Sequence, residues 1–149
     1  YLRKEKGPQA GYADFRNNSR KLVMQPIRRM SAQTELLLNR IDFEEIVIIR
    51  RKNFEVLHRM LSDSNTFHIA DFDTFRCPMV YPYWTDNDAL KQKLIDNQIF
   101  VATYWPNVLE WCKPNDFEYD LAVHLLPLPI DQRYDAADME RIVELIKSN

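Results

Sequence analysis

Glycine is nearly missing from this chain: of 149 residues, only Gly7 and Gly11 are glycine. A phosphate-cradling loop of the Walker or dinucleotide type needs several glycines close together, so neither kind of nucleotide site can be built here. Cysteine is equally scarce. Cys77 and Cys112 stand apart, neither in a Cys-x-x-Cys nor near a histidine pair, which argues against a disulfide framework and a thiolate zinc site. Two buried or half-buried thiols in a cytoplasmic protein are expected instead. No apolar run approaches the roughly 18 residues of a membrane helix, and Tyr1–Lys6 lacks the apolar stretch of a signal peptide, so a soluble chain without a membrane partner is expected. An initiator methionine is missing as well, and the chain reads as cut from something longer.

Apolar residues make up 46% of the chain and aromatics 12%, enough for a packed core. The net charge of −2 hides an asymmetry, with eight Lys/Arg against two acids over Tyr1–Met30. Those basic residues are scattered singly, without an aromatic stacking platform, so a solvated or partner-facing surface is expected rather than a nucleic-acid site.

Residues 1–30 hold Gly7-Pro8, Asn17-Asn18-Ser19 and Pro26 without a sustained period, and read as an irregular or loosely helical lead-in. From Ser31 the pattern sharpens. Ser31 is placed to cap a short helix through Asn39 that carries Leu36, Leu37 and Leu38. Asp42-Phe43-Glu44-Glu45 has capping-box form and predicts a helix to about Leu61, with Phe43, Val47, Phe54, Leu57 and Leu61 as its apolar stripe. Arg50 falls within that stripe and Asn53 one turn on, so the guanidinium needs acceptors from another element.

Strands are expected at Thr66–Phe72 (weak), Phe75–Trp84, Ile99–Trp105 and Leu125–Ile130. Pro78 with Pro82, and Pro127 with Pro129, each share one phase of their runs, which suits a sheet edge. Asp86 is read as the cap of a helix carrying Leu90 and Leu94, with Asn97 as its left-handed stop, and Asn115–Glu118 as a capping box for a helix burying Phe117 and Leu121. Asp135 caps the last helix, whose inward face is Met139, Ile142, Val143 and Ile146. The order predicts a two-layer α/β domain over residues 31–149, a sheet of three or four strands packed against helices.

Several of these stretches resemble the C-terminal small domain of the DegT/DnrJ/StrS group of sugar aminotransferases. The helix "DFEEIVIIRRKNFEVLHRML" is similar to the family's Arg-x-x-Asn helix, here Arg50 and Asn53. "CPMVYPYW" resembles its first small-domain strand, "ALKQKLIDNQIFVATYWP" its helix and following strand, and "HLLPLPIDQRYDAADMERIVELI" its closing segment. The resemblance covers roughly Ser31 to Asn149 and rests on order and spacing.

It implies a parent enzyme of the aspartate aminotransferase fold, homodimeric and dependent on pyridoxal phosphate. Such an enzyme passes an amino group from glutamate to a keto sugar, often nucleotide-linked, in amino-sugar or surface-polysaccharide biosynthesis. Residues 1–30 would then be the tail of a missing N-terminal large domain that holds the Schiff-base lysine. No catalytic residue is expected in this chain: Lys21 lacks the Gly-rich sequence that follows that lysine in the family, and no cofactor is expected on the fragment alone. Gln98 stands where many relatives have glycine. By the resemblance, Tyr104 and Trp105 are the substrate-proximal candidates, and Arg50, Asn53, Arg133 and Tyr134 are interdomain or structural ones.

The residues by themselves leave other readings open. Tyr104 and Trp105 are equally suited to turn packing, His124 at a helix end reads as structural, and Asp71, Asp73, Asp116, Glu118 and Asp120 are not read as a metal site. A free-standing α/β interaction or ligand-binding module, with Tyr81–Trp84 and Tyr104–Trp111 as its surface, is the alternative function. An independent hydrolase finds no nucleophile and base at recognisable spacing.

Overall fold

A computed structural model of the chain describes residue 5 and residues 10–70 and 76–148. Gly7-Pro8, Asp71 and Asp73 lie outside the described residues. The chain divides into two compact units, Tyr1–Ile41 and Asp42–Asn149, so the division falls beyond the Met30 boundary read from the sequence.

The first unit contains helices α1 (Tyr12–Leu22) and α2 (Ala32–Leu38). α1 runs unbroken through Asn17-Asn18-Ser19, so this part of the lead-in is regular helix. Ser31 caps α2 as expected, its Oγ accepting from the Thr34 amide at 3.1 Å. Neither helix buries a residue, and Tyr12, Phe15, Leu36 and Leu37 all face solvent. A segment this short cannot enclose a core of its own.

The second unit orders its elements as α3 (Phe43–Leu61), β1 (Val80–Trp84), α4 (Asp88–Asp96), α5 (Val108–Trp111), α6 (Phe117–His124), β2 (Leu125–Pro129) and α7 (Ala136–Lys147). Asp42 caps α3 by accepting from the Glu45 amide at 2.9 Å, without the return bond expected from Glu45. Phe54, Leu57 and Leu61 of the predicted stripe are buried, but Phe43 is exposed and Val47 half-buried. The reason is length: α3 has 19 residues, about 28 Å of helix, and outruns the five-residue strands, about 17 Å, and the shorter α7 that could cover it.

β1 and β2 form an antiparallel pair with Pro82 opposite Pro127. Neither proline has an N–H, so Tyr81↔Leu128 and Tyr83↔Leu126 must be the pairs that exchange hydrogen bonds. Pro82, Pro127 and Pro129 therefore point their nitrogens away from the partner strand. On the outer side of β1, the side chain of Asn65 replaces a further strand: its Nδ2 donates to Pro82 O at 2.8 Å and its Oδ1 accepts from Trp84 N at 2.9 Å. Tyr81, Tyr83, Leu126 and Leu128 turn to one core with Phe54, Leu57, Leu61, Leu90, Leu94, Met139, Ile142 and Val143.

Among the described residues the sheet has two strands, where the sequence predicts three or four. Residues 66–70 are irregular, and the rest of that expected strand lies outside the described residues. Ile99–Trp105 joins no ladder, although Ile99 and Val101 are buried with Phe100 exposed between them. Alternating burial is therefore present without pairing, and Lys91 holds this extended segment through Thr103 Oγ1 instead.

α4 is capped by Asn87, not by the predicted Asp86; Asn87 Oδ1 takes the Ala89 amide at 3.1 Å. Asp86 instead accepts from Trp84 Nε1 at 3.4 Å. α4 closes with a Schellman turn, Ile99 N donating to Leu94 O and Gln98 N to Ile95 O, both at 2.9 Å. The left-handed residue there is Gln98 at φ 65°, a position that favours glycine, and not the expected Asn97, whose φ is −90°. Asp135 and Asp138 form a full capping box on α7, with Met139, Ile142 and Val143 buried as predicted. Cys112 is half-buried, whereas Cys77 is exposed, because it lies in the irregular approach to β1 before the sheet begins. No helix of the described residues is long and apolar enough to cross a membrane.

The strained turn gives a direct expectation. Gln98→Gly should raise unfolding stability by about 0.5–1 kcal/mol in urea denaturation; a loss of stability would mean that the Gln98 side chain contributes more than its backbone costs.

Candidate functional site

Two places gather the sequence candidates. The first lies where α3 meets the turn after β2. Asn53 is the buried polar side chain of the described core, 2% exposed. Its Nδ2 donates to Tyr134 O at 3.0 Å, Ile130 O at 3.3 Å and Asp131 O at 3.4 Å. One amide thus serves three carbonyls of a single turn. Arg50, one helical turn earlier, works the wetter rim: Nε donates to Gln132 Oε1 at 3.2 Å and Nη1 to Pro78 O at 3.3 Å. The acceptors that an arginine in an apolar stripe demands are therefore an amide and backbone carbonyls, rather than a paired acid.

Arg133 and Tyr134 belong to the same turn. Arg133 grips Asp131 with a two-bond fork, Nε to Oδ1 and Nη2 to Oδ2, each at 2.8 Å, and its guanidinium lies 5.8 Å from the Tyr134 ring centre. These hydrogen bonds hold the Asp131 carboxyl below the usual carboxylate range against the opposing effect of burial. Asp131 in turn raises the Arg133 guanidinium further. Four sequence candidates, Arg50, Asn53, Arg133 and Tyr134, are thus brought together at one turn.

The second place is a cavity of about 100 Å³ lined by Tyr104, Trp105, Val108, Glu118, Leu121, Ala122 and Leu125. Both substrate-proximal candidates are on its wall. Their rings meet edge-on, 5.6 Å apart at 61°. Trp105 has φ 49°, a position costly for a bulky residue, and stays 64% exposed. Burial pushes the Tyr104 hydroxyl up from its ordinary value.

α6 forms the opposite wall but does not follow its predicted capping box. Asp116 Oδ2 accepts from Lys113 N at 2.8 Å, closing the preceding turn, because Asn115 at φ 80° directs the chain back on itself. Phe117 is 66% exposed rather than buried, leaving Leu121 and Ala122 to face the cavity. His124 at the end of α6 stacks on Trp84 with ring centres 5.5 Å apart, and its Nδ1 lies 3.2 Å from Thr85 O, an architectural use.

Neither place fits pyridoxal phosphate. The cavity is about 100 Å³ and no lysine lines it, against roughly 300–1,000 Å³ for typical ligand sites. Among the described residues no three His, Cys, Asp or Glu side chains converge as metal ligands. Sequence reasoning missed Asn65 and Gln132. Asn65 sits in a polar loop without periodicity, and Gln132 becomes meaningful only once distant segments meet.

Asn53→Ala should cost about 2–4 kcal/mol, because it strands carbonyls in the interior; Arg50→Ala should cost less, since water reaches its acceptors. Equal losses in chemical denaturation would contradict this division. For Asp131 the direction is set by its lowered carboxyl: its contribution is complete above about pH 4 and lost as the pH falls further. Asp131→Asn should therefore be destabilising by no more than about 1 kcal/mol at neutral pH, with the difference closing in acid. A gap that widens below pH 4 in a pH series of melts would reverse the assignment.

The chain matches no family model, no curated protein and no solved structure, so its functional reading rests on its own residues.

Proposed function

We propose that this chain is the C-terminal part of a pyridoxal-phosphate-dependent sugar aminotransferase of the DegT/DnrJ/StrS type, acting on glutamate and a nucleotide-linked keto sugar. In this reading the small-domain fold of such enzymes extends over the second unit. The cofactor is held by a large domain and a second subunit outside this chain, since the residues present here do not fit it.

One observation carries the reading. Asn53, through Nδ2, and Arg50, through Nε, the two residues of the Arg-x-x-Asn helix, each donate to residues 130–134, some eighty positions later in a second stretch that resembles the family. Two separately similar segments thus meet through the residues that make each similar. Gln98 at φ 65° adds to this, since the resemblance places glycine there. The cavity at Tyr104 and Trp105 favours a second reading, a non-catalytic binding module.

The test uses the natural reading frame extended upstream of Tyr1. Purified extended protein should carry pyridoxal phosphate and form 2-oxoglutarate from glutamate when given a panel of nucleotide-linked keto sugars. The 149-residue chain alone should form none. An extended protein that binds no cofactor, or a frame with no lysine-bearing domain upstream, would overturn the aminotransferase reading and leave the binding module.

A further inference from the structure

We draw no further inference here: the strongest candidate, the exposed apolar face of α1 with Tyr12, Phe15 and Leu22, carries nothing, because Arg16 and Arg20 on the same helix suit a lipid surface and an acidic protein alike and nothing in the structure shows what covers it.

Discussion

The amide of Asn53 is the contact on which the second unit depends. Three carbonyls of the turn after β2, those of Ile130, Asp131 and Tyr134, converge on the core side of that turn. Carbonyls buried without donors are costly, and of the turn's own amides Tyr134 N reaches Asp131 O alone, while Arg133 N is engaged with Asp131 Oδ1. The donor must come from the facing helix, and it must be neutral, because a buried ammonium or guanidinium would need a counter-charge that the core lacks. An asparagine at this turn of α3 meets both demands. Arg50 does the same work one turn closer to solvent, where a charged donor is affordable.

The small sheet follows a related logic of edges. A two-stranded ribbon is marginal by itself and invites further pairing. Here its outward positions are occupied by proline, which has nothing to donate, and by the Asn65 side chain, which takes up Pro82 O and Trp84 N as a neighbouring strand would. The helices then provide what a wider sheet would have provided: α3 and α7 pack on each other, and α3 also packs on β1. Tyr81 illustrates the joint. Its ring is fully buried against Phe54, while its hydroxyl lies within 3.4 Å of Asn65 Nδ2 and of His58 Nδ1, and burial raises its pKa.

Much of this was legible in the residues, for reasons that are local. The caps at Ser31, Asp42 and Asp135, the inward face of α7, and the need of Arg50 for acceptors each depend on chemistry within a few residues. The proline phases at Pro82, Pro127 and Pro129 announced edges correctly. What failed was inference from pattern to partner. Ile99–Trp105 alternates as a half-buried strand does, but period-two burial measures which side faces the core and says nothing about whether a neighbour offers a ladder. Phe43 and Phe117 sit in phase at the start of helices and so read as inward, yet the packed body covers neither position. At the candidate site, Tyr104 and Trp105, adjacent in sequence, line one cavity.

The two gathering places are joined by β2. Leu125 at its start lines the cavity, and Ile130, just past its end, offers a carbonyl to Asn53. A strand of five residues can slip by one position, and such a slip would turn every side chain to the other face. It would also bring Pro127 and Pro129 into positions where the ladder requires an N–H, and each would forfeit a bond. The alternating prolines therefore do more than blunt an edge: they penalise the nearest wrong register and leave one in which Leu125 meets the cavity while Ile130 meets Asn53. A clamp at one end of the strand and a fixed register along it hold the wall of the cavity in place, and for this reason the run of prolines and leucines leads directly into the turn that Asn53 and Arg50 hold.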